Sequence, residues 1–129
     1  MFQLTAIYLT SAILGVMLFF SFVVAPVTFT TLNEDNARKF IRKIFPYYYN
    51  VNLGISILVV LIFAFKETFN LDFFLILSVA LLFALSNYVL MPLINKFSDQ
   101  NLHQKFKYSH LLSVILNFIQ MFCLIFILI

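Results

Sequence analysis

The stretch of residues 106–129 limits the possible folds more than any other part of the chain. It is almost wholly apolar, but it carries His110, Ser113, Asn117 and Gln120. At about 100° per residue these positions lie at roughly 0°, −60°, −20° and −80° on a helical wheel, which is one narrow polar stripe. A helix that is apolar on nearly every side either spans a membrane or is buried in a large core. With 129 residues the chain is too short for such a soluble core, so we predict a transmembrane helix whose polar stripe faces other helices.

The overall composition also indicates a protein of the lipid bilayer. Hydrophobic residues make up 64% of the chain and charged residues 10%, which lies outside the range of soluble globular domains. The basic residues form no extended basic face, so the composition argues against a nucleic-acid-binding protein. The single cysteine, Cys123, allows neither an intramolecular disulfide nor a cysteine metal cluster.

Four apolar stretches are long enough to cross a bilayer: about residues 4–27, 47–65, 71–93 and 107–129. The first is expected to be a retained helix and not a signal peptide, because no Lys or Arg precedes Arg38. Pro26, Pro46 and Pro92 are expected to end helices, since proline lacks the N–H that continues the hydrogen-bond ladder. The sequence therefore predicts an all-α integral membrane four-helix bundle, with residues 1–129 in a single membrane domain.

Residues 34–45 are expected to form a short basic amphipathic helix between the first two spans. Asn33 is a suitable N-cap, and apolar residues recur at helical spacing from Ala37 to Phe45. The opposite face carries four basic residues, Arg38, Lys39, Arg42 and Lys43. Such a helix is either a solvated connector or an interfacial helix that anionic lipid headgroups help to hold. The two interpretations are compatible, and we expect contact with the membrane.

The distribution of basic residues predicts the orientation. Every Lys and Arg except Lys66 lies in the first or third connecting stretch. The positive-inside rule places those stretches in the cytoplasm. We therefore expect a multi-pass protein of the plasma (inner) membrane with both termini outside the cytoplasm.

The polar residues inside the spans are the candidate ligand-binding residues. At about 1.5 Å per residue, Asn52, Asn87, His110 and Ser113 fall in the cytoplasmic half of the bundle, and Asn117 falls nearer the midplane. Either these side chains hydrogen-bond across helices and fix the packing, or they line a small polar pocket that binds or passes a solute or an ion. His110 is the strongest functional candidate, because an imidazole titrates near neutral pH and can relay a proton.

No sequence motif indicates catalysis. The chain has no HExxH, no CxxC, no glycine-rich phosphate loop and no nucleophile elbow. We therefore expect no catalytic residue, no metal ligand and no cofactor. Three functions are open: a small solute- or ion-binding membrane protein, a structural or accessory subunit of a membrane complex, and, as the weakest, a haem- or metal-dependent redox enzyme. The expected partners are the anionic lipid surface and either a second copy of the chain or another membrane protein.

Five short stretches resemble one known family. They are residues 15–20 (GVMLFF), 24–29 (VAPVTF), 43–49 (KIFPYYY), 87–92 (NYVLMP) and 106–117 (FKYSHLLSVILN). In this order they resemble the transmembrane-protein-205-like family, known in bacteria as a domain of unknown function. The resemblance implies four transmembrane helices and no established activity, although eukaryotic relatives are associated with resistance to platinum drugs. A fainter similarity to haem-binding membrane protoporphyrinogen oxidases implies a histidine in the first helix, where this chain has none.

Overall fold

The computed structural model describes residues 1–129 as four long helices joined by short turns. These are α1 (Phe2–Thr31), α2 (Glu34–Phe65), α3 (Leu71–Asp99) and α4 (His103–Leu128), and each is long and apolar enough to cross a membrane. The prediction of an all-α four-helix membrane bundle is confirmed.

The helices form a closed ring around one core. Helix α2 packs against α1 and α3, and α4 packs against the same two helices from the other side. The core takes residues from every helix, including Met17, Val59, Phe83 and Leu124. Large apolar side chains such as Phe122, which is 68% exposed, cover the outside. A bilayer supplies the apolar solvent that this exterior needs.

The bundle has two chemically different ends. The two short turns between α1 and α2 and between α3 and α4 lie at the end that we call the basic end, which carries Arg38, Lys39, Arg42, Lys43, Lys96, Lys105 and Lys107. At this end the Arg42 guanidinium donates to Asp99 Oδ1 at 2.7 Å and to the Asn95 carbonyl at 3.2 Å, which ties α2 to α3. The α2–α3 loop and the two ends of the chain lie at the opposite end, which we call the termini end.

Helices α1 and α3 continue through their prolines, so the prediction that Pro26 and Pro92 end helices is wrong. Each proline follows a five-residue π-helical segment, Phe20–Val24 in α1 and Ser86–Leu90 in α3, and is the second residue after it. Proline removes one N–H from the ladder and crowds the carbonyl four residues earlier. The π segment already widens the helix at that place, so the proline is accommodated and the helix runs on to its end.

Helix α2 also continues through Pro46, so the predicted division between residues 34–45 and 47–65 is wrong. Aromatic rings beside the proline hold both halves in place: Tyr48 stacks on Phe20 at 4.3 Å between ring centroids, and Phe45 stacks on Tyr49 at 5.6 Å. Such pairs contribute about 0.5–1.5 kcal/mol each beyond their buried area. A break inside the bilayer would also leave backbone groups without water to bind. Residues 34–45 are thus the first turns of α2, and their contact with lipid headgroups stays a prediction.

The start of α2 has the N-cap that the sequence indicates. The Asn33 side chain accepts a hydrogen bond from the Asn36 N–H at 2.9 Å, which satisfies one of the free donors of the first turn. Asn70 caps α3 in the same way, by accepting from the Phe73 N–H at 3.1 Å.

Candidate functional site

A hydrogen-bonded chain of three polar side chains crosses the bundle interior. The Tyr48 hydroxyl donates to Asn117 Oδ1 at 2.9 Å, and Asn117 Nδ2 donates to Ser21 Oγ at 3.0 Å. These bonds connect α2, α4 and α1. Tyr48 is fixed there by its stacking on Phe20, so an aromatic contact holds the hydroxyl in position for the amide.

A second polar contact joins α3 to α2. Asn87 Nδ2 donates to Asn50 Oδ1 at 2.9 Å, and the Tyr88 hydroxyl lies 3.5 Å from the same oxygen. Asn87 belongs to the π segment of α3, as Ser21 belongs to the π segment of α1. Each π segment therefore contributes one polar side chain to a bond between helices. Isolated π turns inside α-helices are frequent at functional sites.

Asn52 is the central residue of the site because its side chain is buried and unsatisfied. It is 0% exposed, and neither its Oδ1 nor its Nδ2 has a hydrogen-bond partner. It lies one helical turn beyond Tyr48 on the same face of α2. Ser56, another turn on, donates to the Asn52 backbone carbonyl at 2.7 Å and not to its amide. A buried polar group without a partner lowers the stability of a fold by about 1–3 kcal/mol. The Asn52 amide is such a group at the centre of this bundle.

The polar stripe of α4 is only partly inside the bundle. Asn117 takes part in the hydrogen-bonded chain, and the buried Gln120 donates to the Val79 carbonyl of α3 at 3.1 Å. Nearer the basic end, His110 is exposed on the outside of α4, where its ring stacks on Phe106 at 5.8 Å. Ser113 donates to the His110 carbonyl of its own helix at 2.6 Å.

The structure therefore does not bring His110 and Ser113 to Asn52 and Asn87. His110 lies about two turns from the start of α4, where a polar side chain can reach water or headgroups and needs no helix partner. The expectation that the whole stripe faces other helices is wrong for this first part of the helix.

A small cavity at the basic end adjoins the polar contact between α2 and α3. Its volume is about 110 Å³, and its lining includes Arg42, Asn87, Asn95 and the two prolines Pro46 and Pro92. A water molecule occupies about 30 Å³ in the liquid, so the cavity has room for a few. Asn87 lines this cavity and also bonds to Asn50, so polar groups are continuous from the basic end to the α2–α3 interface.

Four of the residues that form these contacts between helices were not among the predicted site residues: Ser21, Tyr48, Asn50 and Gln120. Tyr48 has a signal in the sequence, because Tyr48, Asn52 and Ser56 follow one another at one-turn spacing and share a face of α2. Ser21 has no such signal, since the π turn shifts the register of α1 at that place. Asn50 is exposed on α2. Its contact is the hydrogen bond from Asn87 on α3, which no local sequence pattern indicates.

Of the four basic residues predicted to contact lipid, two form ion pairs and two do not. Arg38 pairs with Glu34 at 3.1 Å and Arg42 pairs with Asp99 at 2.7 Å. Lys39 and Lys43 are exposed and lie in no ion pair. No group of three His, Cys, Asp or Glu side chains is placed to hold a metal ion.

Comparison with known proteins assigns the chain to a family. The family model described as Domain of unknown function (DUF4149) matches residues 8–103. The chain belongs to the DUF4149 family. The matched region contains Ser21, Tyr48, Asn52 and Asn87, and it ends at the start of α4.

A relative is also similar to most of the chain. An uncharacterized protein of Aquifex aeolicus (strain VF5) is 31% identical over 103 residues, which cover 80% of the DUF4149 chain and 76% of the relative. No solved structure matches the chain.

Proposed function

We propose that this protein binds and passes a small neutral solute at the polar interface around Asn52. The observation that supports the proposal is the Asn52 amide, which is 0% exposed and has no partner on either atom. An amide offers one acceptor and one donor group. A solute that carries both, such as glycerol or urea, complements it.

The surrounding chemistry favours a neutral solute over an ion. Apart from Arg42 and Asp99 at the basic end, the side chains that hydrogen-bond between helices are amides and hydroxyls: Ser21, Tyr48, Asn50, Asn87, Asn117 and Gln120. An ion taken out of water needs a nearby opposite charge to offset its desolvation, and these residues supply none. Neutral hydrogen-bonding groups instead replace the water around a neutral solute.

The similarity of the two halves of the bundle also supports the proposal. Helices α1 and α2 form one hairpin, and α3 and α4 form the other. The first helix of each hairpin contains a five-residue π segment followed by a proline. The Ser21–Asn117, Tyr48–Asn117 and Asn50–Asn87 hydrogen bonds all join one hairpin to the other. Many transporters bind their substrate between structural repeats, where helices are interrupted near the midplane.

Flux measurements test the proposal. Purified protein in proteoliposomes is assayed for uptake of radiolabelled glycerol and urea, and we expect uptake above that of protein-free liposomes. The Asn52→Leu variant should lose this uptake. The matched control is Ser78→Leu, because Ser78 is exposed and bonds only to the Phe74 carbonyl of its own helix at 2.8 Å. Wild-type uptake equal to protein-free liposomes, or equal uptake by the Asn52→Leu variant, contradicts the proposal.

We also propose that the basic end faces the cytoplasm and that the free Lys39 and Lys43 side chains contact anionic headgroups. The support is the concentration of basic residues at that end. In a Cys123→Ala background, Lys39→Cys and Thr68→Cys variants report the orientation through a membrane-impermeant maleimide. Labelling of position 68 alone in intact cells is expected, and labelling of position 39 alone contradicts the orientation.

We also propose that the chain is related to the transmembrane-protein-205-like family. It is supported by the order of the motifs at residues 15–20, 24–29, 43–49, 87–92 and 106–117. Two of these stretches contain the prolines of α1 and α3, and the last contains Asn117.

A further inference from the structure

A second recess lies at the termini end of the bundle, and Asn52 is not among the residues that line it. It is a crevice of about 480 Å³ between the beginning of α1, the end of α2 and the beginning of α3, and Ile127 of α4 also lines it. Its size is within the range of small-molecule sites. The function proposed above leaves it without a role.

Among the side chains that line the crevice, one is a cation and one is a carboxylate, and the two are not paired with each other. Lys66 and Asp72 both line it. The Lys66 ammonium lies 4.4 Å from the centroid of the Phe2 ring, which holds the charge by a cation–π contact. The ion pairs of the chain are Arg38–Glu34 and Arg42–Asp99, both at the basic end. The Lys66 and Asp72 side chains thus offer two separate charges of opposite sign, which together complement a zwitterion.

Deeper in the same crevice lies a polar atom without a partner. Thr10 lines the crevice about two helical turns below Gln3. It is 1% exposed, and its Oγ1 has no hydrogen-bond partner. The walls around it are apolar and include Ile7, Ile62 and Phe63. A matching ligand carries a positive and a negative group at one end, a hydrogen-bond acceptor further in, and an apolar body.

We propose that this crevice binds phosphatidylethanolamine from the membrane leaflet at the termini end. Lys66 pairs with the phosphate, and Asp72 accepts hydrogen bonds from the primary ammonium group. The Thr10 hydroxyl donates to an ester carbonyl, and the acyl chains lie against the apolar walls. A soluble apolar amino acid has a zwitterionic head and an apolar body but no hydrogen-bond acceptor further in for the Thr10 hydroxyl, whereas a phospholipid at the helix ends presents all three parts.

The headgroup chemistry predicts a specific selectivity. The quaternary ammonium of phosphatidylcholine has no N–H to donate to Asp72. Phosphatidylglycerol has no cation at all. Losing one charge-assisted hydrogen bond weakens binding by about tenfold.

Native mass spectrometry of the full-length protein tests the proposal. The protein is incubated in detergent with equal amounts of the three phospholipids carrying identical acyl chains. We expect phosphatidylethanolamine to be retained about tenfold more than either of the others. Asp72→Asn should reduce its retention to the phosphatidylcholine level, and Lys66→Met should reduce retention of all three. Equal retention of the three lipids by the wild type, or an unchanged preference in Asp72→Asn, overturns the proposal.

Matched variants separate this site from general charge effects and from folding. Lys96→Met and Asp35→Asn remove the same charges at the basic end, and both should keep the preference. If Asp72→Asn does not fold, Thr10→Val is measured instead after its helicity and elution volume are checked. Severalfold weaker retention of phosphatidylethanolamine by Thr10→Val is expected, and unchanged retention overturns the proposal. The Asn52→Leu variant should keep the lipid preference, so this proposal and the solute site can fail separately.

Discussion

Replacing Asn52 by leucine should make the folded bundle more stable. Leucine has the same number and branching of side-chain heavy atoms as asparagine, but it needs no hydrogen bond. Both polar atoms of the Asn52 amide are buried and unpaired, and such a group destabilises a protein by about 1–3 kcal/mol. In a membrane the unfolded state keeps its helices in lipid, where the amide finds only some of its partners. The gain is therefore taken from the low end, about 1 kcal/mol.

The opposite sign is expected for Tyr48→Phe, one turn away on the same helix. This change removes the hydrogen bond from the Tyr48 hydroxyl to Asn117 Oδ1, which is 2.9 Å long. Hydrogen bonds between transmembrane helices contribute about 0.6 kcal/mol on average. The two substitutions remove polar atoms from the same interface, so their opposite effects isolate the contribution of hydrogen-bond satisfaction.

The assay is equilibrium unfolding by SDS titration in mixed micelles, followed by circular dichroism. The midpoint should rise for Asn52→Leu and fall for Tyr48→Phe. A loss of about 1 kcal/mol or more in Asn52→Leu would refute the reasoning, because it would show that the folded protein satisfies this amide. If the stabilised variant also loses solute uptake, Asn52 is an example of a residue that reduces stability in exchange for activity.

Three further substitutions have definite expected outcomes. Asn117→Leu removes both hydrogen bonds of its amide and should lower the unfolding free energy by about 1 kcal/mol; an effect no larger than that of Ser78→Leu in the same titration contradicts this. His110→Leu should leave stability and solute uptake unchanged, because the ring is exposed and forms no hydrogen bond across the bundle. A loss of uptake in this variant would show that His110 belongs to the solute site. Asp99→Asn breaks the partly exposed pair with Arg42 and should lower stability by less than about 1 kcal/mol at low salt, and the difference should shrink in high salt. A difference that does not depend on salt contradicts that account.

The fold was predictable from hydropathy alone because a bilayer permits so few solutions. A spanning segment must satisfy its own backbone hydrogen bonds, so four long apolar stretches predict four helices. The prolines misled the prediction, since Pro26, Pro46 and Pro92 end helices in water more readily than in a packed bundle. Two of them are accommodated by π segments and the third by aromatic packing, and hydropathy indicates neither effect.

The candidate site was predictable in part. Asn52, Asn87 and Asn117 stand out as amides inside apolar stretches, and the structure places all three at contacts between helices or in the core. Their partners Ser21 and Asn50 depend on how the helices are rotated against one another, which is a property of the assembled bundle. The sequence predicts His110 inside the bundle because helical periodicity indicates which face of α4 a residue lies on. It does not indicate where along the helix the core of the bundle ends.

The most direct test of the solute site is the NMR signal of the Asn52 side-chain amide in protein embedded in nanodiscs. Selective ¹⁵N labelling of asparagine shows the side-chain amides, and the Asn52→Leu spectrum identifies the signal that belongs to Asn52. Adding glycerol or urea should shift this signal saturably, while that of Asn117, whose amide is already hydrogen-bonded, stays in place. An Asn52 signal that neither solute shifts would contradict a neutral-solute site at the centre of the bundle.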